Sequence, residues 1–299
     1  MNAFLLIFSV LMNVAACSIL RNDFCKKDVT CNADLYIFNG LCSVLSAITL
    51  LVVALVGGSL GVPSMYTVAL GVIYGVATAV CAVMNMKALE IGPLSYTGVI
   101  CSCSMIIPAL SGLVLFGESI TPGQYVGTAL MLVSFVCAVD RSNDKAGTSL
   151  KWLLLCMACF VANGSVGVLQ KIHQSSPQKD ELGAFLVIAF VVSALFSFVL
   201  TAYYRRGGQV VAVLRPEKRR RTWLIIAISG IGFALCNQIN MYLSGVMPSI
   251  IFFPVVNGAG MILSTAAGFI LWKEKLSRRQ WLGLLAGAVA MFLLGGVFF

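Results

Sequence analysis

The sequence predicts an all-α polytopic membrane protein: ten transmembrane helices in two inverted five-helix repeats, residues 1–145 and 146–299, forming one integral membrane domain. Three observations carry that expectation. Of the 299 residues only 10% are charged and 60% are hydrophobic, whereas about 25% are charged in an ordinary soluble domain. The charges are also clustered, because residues 1–20, 35–86, 91–117, 119–139, 152–170, 182–204, 222–272 and 280–299 contain no Asp, Glu, Lys or Arg. Third, the second half of the chain repeats the first.

A bilayer-crossing helix takes about 20 mostly apolar residues, since the hydrocarbon core is about 30 Å thick and each residue rises 1.5 Å. Six of the windows have the length of one span. The windows 35–86 and 222–272 are each broken near the middle by turn chemistry, Gly57-Gly58-Ser59 with Gly61 and Pro63-Ser64 in one and Ser244-Gly245 with Pro248 in the other. Each is expected to hold two helices. The loops left over are too short for a separate soluble domain, and no window alternates in polarity as a barrel strand must. No Lys or Arg precedes the first apolar run, as the leading segment of a secretion signal requires, so helix 1 is expected to be retained.

The formal net charge of +9 is assigned to the membrane surface rather than to nucleic acid. Its densest group, Arg205, Arg206, Arg215, Lys218, Arg219, Arg220 and Arg221, has no aromatic residues interleaved for base stacking. All Lys and Arg except Lys171 and Lys179 lie in loops 1/2, 3/4, 5/6, 7/8 and 9/10. The positive-inside rule places those loops in the cytoplasm and both termini outside, with Cys25 and Cys31 of loop 1/2 reduced.

The repeat is direct. At an offset of about 155, Gly75, Ala79, Cys81, Asn85, Met86 and Pro93 fall on Gly230, Ala234, Cys236, Asn240, Met241 and Pro248. One residue further on, Glu118, Gln124 and Gly127 match Glu274, Gln280 and Gly283, and at a shorter offset Asn13 and Arg21 match Asn163 and Lys171. Five is odd, so one copy enters the membrane in the opposite sense to the other. Such repeats place a site near the midplane between halves that rock.

The segments Phe116-Gly117-Glu118-Ser119-Ile120-Thr121 with Gln124 and Gly127, and Trp272-Lys273-Glu274-Lys275-Leu276-Ser277 with Gln280 and Gly283, resemble the helix–Glu–turn–helix signature of the drug/metabolite transporter superfamily, in its ten-helix EamA-type form. Ala88-Leu89 and Pro93-Leu94-Ser95-Tyr96 are similar to the segment leading into helix 4 of its four-helix multidrug carriers. The resemblance covers nearly the whole chain and implies a secondary transporter of a bacterial cytoplasmic membrane. The small carriers couple protons through a Glu in helix 1, where this chain has only Asn13. Many ten-helix relatives keep both termini in the cytoplasm, opposite to the charge count here.

Polar groups inside hydrocarbon must find partners, so their placement is informative. Tyr74, Thr78, Cys81 and Asn85 lie along one face of helix 3. Asn237 and Asn240 share a face of helix 8 with Phe233 and Ser244, Asn13 and Asn163 occupy matching points of helices 1 and 6, and Asn257 lies inside helix 9. With Tyr96 as an aromatic wall, these residues are the expected substrate-binding set. The competing reading is helix-to-helix hydrogen bonding, worth about 0.6–2 kcal/mol, and it weighs most for Asn13 and Asn163. Glu118 and Glu274 are expected to stabilise turns rather than carry protons, since each ends a helix near the surface. Gly123 with Gly127, Gly283 with Gly287, and Gly71 with Gly75 are expected to pack helices.

Enzymatic readings find little support. There is no HExxH and no pair of intramembrane acids, and in Gly164-Ser165-Val166-Gly167 the serine is about 12 Å along a helix from His173, the only histidine, against the roughly 3 Å a nucleophile and base need. His173 is expected just past helix 6, a cation near a helix C-terminus. Cys156 and Cys159 have no His or carboxylate nearby to complete a metal site, and most cysteines are expected to be packing residues. No nucleotide-binding motif, cofactor or metal is expected. The expected function is alternating-access transport of a small neutral or zwitterionic organic metabolite, amino-acid-like or drug-like, without obligatory proton coupling. Alternatives are transport of lipophilic or lipid-linked compounds, or a membrane sensor or assembly subunit with no flux. The expected partners are the solute and membrane lipids, with a homodimer left open.

Overall fold

A computed structural model describes residues 2–15, 20, 24, 32–57, 61–91, 100–137, 149–204, 219–272 and 277–295. Tyr96, Glu274, Cys25, Cys31 and the basic group from Arg205 to Lys218 lie outside the described residues. Among the described residues there are no strands, and ten α-helices run in chain order: α1 (Asn2–Asn13), α2 (Asn32–Val56), α3 (Met65–Ile91), α4 (Ile106–Phe116), α5 (Pro122–Cys137), α6 (Leu150–Gln174), α7 (Leu182–Tyr204), α8 (Arg219–Val246), α9 (Ser249–Trp272) and α10 (Arg278–Gly295). A 3-10 turn, Lys179–Glu181, precedes α7.

Five helical stretches are long and apolar enough to cross a membrane: Ala33–Val56, Met65–Asn85, Leu150–Gln174, Lys179–Tyr204 and Arg220–Val246. Their exteriors fit that solvent. Large apolar side chains point outward along these stretches, among them Val56 at 85%, Val199 at 67% and Leu154 at 61% exposure, a surface that water would penalise.

Both predicted breaks are real. α2 stops at Val56 and α3 starts after Pro63-Ser64, where Ser64 Oγ accepts the Thr67 N–H at 3.3 Å. α8 stops at Val246, and the Pro248 carbonyl accepts the first N–H groups of α9, from Ile251 at 3.1 Å and Phe252 at 3.0 Å. α4 closes at Gly117, whose φ of 60° is left-handed and suits a residue without Cβ. α5 opens with a reciprocal cap in which Thr121 N–H donates to Gln124 Oε1 at 2.9 Å and Gln124 N–H to Thr121 Oγ1 at 3.4 Å. α10 opens the same way, Ser277 N–H to Gln280 Oε1 at 2.8 Å and Gln280 N–H to Ser277 Oγ at 3.3 Å.

The chain divides into two compact units. Unit 1 comprises residues 1–79 and 173–242. In it α2 packs along α7. Gly75 of α3 lies so close to Ala189 O and Val192 of α7 that a Cβ would overlap them, and Gly230 of α8 lies equally close to Leu45 and the Cys42 carbonyl of α2. Ser46 Oγ donates to Gly230 O at 2.8 Å. A buried cluster of Phe24, Phe38, Cys42, Ile225 and Ile226 closes one side of this core.

Unit 2 comprises residues 80–172 and 243–299, where α5 packs along α10 and α4 against α9. Gly127 of α5 faces Leu294 and the Ala290 carbonyl of α10, and in return Ser134 Oγ of α5 donates to Gly283 O at 2.6 Å. Gly164 and Gly167 of α6 leave room for Ile107 and Pro108 at the start of α4. Gly123 departs from its expected packing role. It sits in the first turn of α5, ahead of the crossing, with nothing within 4 Å of where a Cβ would be.

Candidate functional site: half-buried amides and two capped helix starts

In unit 1 the polar face of α8 is fastened to α1. Asn237 Nδ2 donates to Phe233 O of its own helix at 2.8 Å, leaving Oδ1 without a partner among the described residues. Asn240 is the reverse: its Oδ1 accepts from Ser9 Oγ of α1 at 2.6 Å and its Nδ2 is left over. Cys236 Sγ bonds the Ser9 carbonyl at 3.3 Å, so α1 is fastened to α8 at two points. One turn of α8 thus carries an unused acceptor and an unused donor, both on half-buried side chains.

Tyr74 is buried, edge-on to Phe185 with centroids 5.1 Å apart, and its hydroxyl has no hydrogen-bond partner among the described residues. The Thr78 hydroxyl is taken up by its own helix, through the carbonyls of Tyr74 and Gly75. Asn13 is half-buried at the end of α1 and makes no hydrogen bond to another described residue.

Unit 2 contains Asn85, Asn163 and Asn257. Asn163 Nδ2 donates to Ser104 Oγ at 2.6 Å and Cys101 O at 3.3 Å, tying α6 to the residues just before α4. Asn85 Oδ1 receives the Cys101 thiol at 3.9 Å. Asn257 Nδ2 bonds Phe253 O at 2.8 Å, copying the habit of Asn237. Cys159, at 3.7 Å from Cys81 and 3.2 Å from Cys101, gathers thiols from separate helices, a meeting that sequence neighbours such as Cys156 do not signal. The predicted helix 3 stripe is therefore shared out, Tyr74 and Thr78 to unit 1, Cys81 and Asn85 to unit 2.

Sequence reasoning missed two clusters at helix starts. At α9, Glu118 Oε2 accepts the Ser249 N–H at 2.7 Å, while Oε1 accepts Ser249 Oγ at 3.2 Å and Lys171 Nζ at 2.8 Å. Lys171 also donates to Met247 O at 3.0 Å, and the two charged side chains are only 7% and 15% exposed. Lys171 lies on α6, where it neutralises the acid that caps α9. At α3, Glu181 Oε2 accepts Ser64 N–H at 2.9 Å and Ser64 Oγ at 2.8 Å. His173 belongs to the same cluster. It lies in the last turn of α6 rather than past it, wholly buried against Phe185, because the helix continues to Gln174. The signal available in the sequence was the repeated Pro-Ser pair, Pro63-Ser64 and Pro248-Ser249, at the two helix starts.

On the opposite face of α8 a groove of about 370 Å³ is lined by Leu5, Leu182, Leu235, Gln238, Ile239 and Tyr242. Gln238 has no hydrogen-bond partner among the described residues. Among those residues no group of three or more His, Cys, Asp or Glu side chains is placed to hold a metal ion.

The fold and these groups define the class: an all-helical protein with five helices able to cross a membrane and half-buried amides between its helices. No protein-family model matches the chain. It is similar to an uncharacterized protein of Haemophilus influenzae, 22% identical over 221 residues that make up 71% of this chain and 70% of that protein. A protein of known crystal structure shares its fold at a TM-score of 0.75, with 14% identity over 98% of both chains.

Proposed function

We propose that the chain is a secondary carrier of the drug/metabolite type, ten spans in two inverted repeats, moving a small neutral or zwitterionic organic solute by alternating access. The observation that carries this reading is the pair of unused groups on α8, Asn237 Oδ1 and Asn240 Nδ2. An acceptor and a donor one turn apart complement an ammonium and a carboxylate, or an amide, on a single ligand. No full charge stands beside them on α8, so a multiply charged solute would be left uncompensated.

Matched contacts support the repeat. The Thr121/Gln124 cap has its counterpart in Ser277/Gln280, the Gly75-to-α7 crossing in the Gly230-to-α2 crossing, and the Gly127-to-Ala290 approach in the Ser134-to-Gly283 bond. We place the protein in a bacterial cytoplasmic membrane with both termini outside, on the bias of Lys and Arg between loops.

The test is a thermal-shift screen of the purified protein against amino acids and other small metabolites, followed by flux in proteoliposomes. A ligand that binds the native state raises its apparent stability. Asn237→Ala and Asn240→Ala should each remove that shift while Asn163→Ala, whose amide is spent between helices, should keep it. A shift that survives in both α8 variants rejects the assignment. The α8 groove favours a second reading, transport of a lipophilic compound, because its apolar lining carries the unsatisfied amide of Gln238. Competition by detergents and lipophilic cations, lost in Gln238→Leu, would favour it.

A further inference from the structure

The only histidine of the chain lies at one end of a line of hydrogen-bonding groups. His173 Nε2 is 3.3 Å from Thr67 Oγ1, the Thr67 and Ser64 hydroxyl oxygens are 3.2 Å apart, and Ser64 Oγ is 2.8 Å from Glu181 Oε2. The ring end is wholly buried, Thr67 with it, whereas Glu181 is partly open. Each hydroxyl has one proton to give and lone pairs to accept with, so two rotors orient the line between ring and carboxylate.

The other ring nitrogen fixes the protonation pattern. Nδ1 is 3.2 Å from Gln174 Nε2, and that amide nitrogen also donates to Lys179 O at 3.3 Å. An amide nitrogen only donates, so Nδ1 accepts and the neutral ring carries its proton on Nε2. That N–H points to Thr67 Oγ1; the Ser64 hydroxyl has the Glu181 carboxylate at 2.8 Å and Thr67 Oγ1 at 3.2 Å as acceptors for its one proton, and the Thr67 hydroxyl also bonds the carboxylate.

A second proton can therefore be taken only at Nδ1. There the new N–H bond would oppose the Gln174 N–H, and a half-turn of the amide would bring its oxygen to Nδ1 and release the bond to Lys179 O. The charged ring would keep its line to the Glu181 carboxylate through the same two hydroxyls. Of the charged groups around the ring, Glu181 faces it; Lys179 and Asp180 on the same short turn are exposed, α3 contributes the Thr67 hydroxyl and the residue before it the Ser64 hydroxyl, and α7 contributes the Phe185 ring at 4.5 Å. Lys171, earlier on α6, is engaged with Glu118.

We propose that His173, Glu181 and Gln174 form a proton-binding site at the α6–α7 connection, with the proton held on His173 Nδ1, the carboxylate of Glu181 as its counter-charge and the Gln174 amide as the element that turns over. The proton comes from a hydronium ion of the solvent, whose O–H bond breaks as the Nδ1–H bond forms and which leaves as water; within the protein only hydrogen bonds are exchanged. As the coupling ion of transport, in place of the uncoupled flow expected from the bare helix 1, this proton rests on the carrier reading; its binding does not.

A single histidine makes the test unambiguous. The full chain is labelled with 15N-histidine, placed in nanodiscs, and its one ring followed by NMR from pH 9 to pH 4 without any solute. The neutral form should carry its proton on Nε2 and convert to the doubly protonated ring on acidification. Glu181→Gln should move that titration to lower pH by a unit or more, and Gln174→Glu, which offers Nδ1 an acceptor, should move it higher. Thr67→Val, which cuts the line without touching a charge, should act like Glu181→Gln and stands in for it if that variant does not fold. A native ring that stays neutral down to pH 4, or an unmoved midpoint in either the Gln174 variant or the variants that cut the line, overturns the proposal. Solute flux is not read, so failure here leaves the carrier reading standing.

Discussion

The starts of α3 and α9 solve one problem with different chemistry. Each follows a Pro-Ser pair, and each presents free N–H groups that a distant glutamate accepts, Glu181 at Ser64 and Glu118 at Ser249. An acid there also suits the positive end of a helix. The difference is the counter-group. Glu118 is held by the lysine of a nearly buried ion pair, whereas Glu181 looks through two hydroxyls at an imidazole. The first arrangement is a direct ion pair. The second has a group that can change charge, so matching caps give one fixed joint and one adjustable joint.

The sharpest way to break this comparison is to remove the lysine. Lys171→Met leaves the Glu118 carboxylate nearly buried and unpaired, which should lower stability by about 3–5 kcal/mol, read as the fall in apparent melting temperature in detergent. Adding Glu118→Gln should recover much of the loss, because paired groups are not additive. If Lys171→Met alone is harmless, the α9 joint is not the fixed one.

A smaller effect tests position rather than charge. A Cβ on Gly112 would overlap the Glu118 carboxylate and approach Ser249 Cβ to 2.9 Å. Gly112→Ala should therefore push the carboxylate off Ser249 and Lys171 and destabilise by about 1–3 kcal/mol, the usual range for overpacking. By contrast Glu181→Gln keeps an oxygen for the Ser64 N–H, and should lower the melting temperature less than either. The ranking of Lys171→Met over Glu181→Gln is the quantity that separates the joints.

How much of this was legible in the sequence follows from what each feature depends on. The helices were legible, because the charge-free windows and the breaks at Gly57 to Pro63 and Ser244 to Pro248 are local, and α2, α3, α8 and α9 begin and end around them. Glu118 was legible as a turn residue but not as the partner of Lys171 and Ser249, which lie far off in the chain and meet it only through packing. The same holds for Glu181 and Ser64, and for the thiols around Cys159. For the amides, periodicity gave a face but not a rotation or a partner. Asn163 and Asn13 are matched in sequence, yet Asn163 bonds Ser104 while the contact of α1 is made by Ser9 to Asn240. The thread of helix 3 was drawn along one face, and a face does not reveal that the chain passes from one compact unit to the other after Ala79.

The gentlest prediction uses two helix starts that carry the same groups. The caps of α5 and α10 have the same bonds at nearly the same lengths, Thr121 N–H to Gln124 Oε1 at 2.9 Å and Ser277 N–H to Gln280 Oε1 at 2.8 Å. Removing the hydroxyl leaves one helix-end N–H without its acceptor in each case, so Thr121→Ala and Ser277→Ala should each cost about 1 kcal/mol, and they should agree with each other more closely than Lys171→Met agrees with Glu181→Gln. Equal losses at the caps beside unequal losses at the joints would mean that the shared cap motif sets the energy at α5 and α10, whereas the counter-group sets it at α3 and α9. Unequal losses at the caps would instead mean that the surroundings, not the shared motif, set the energy of both pairs, and the contrast between the α3 and α9 joints would then need no special chemistry.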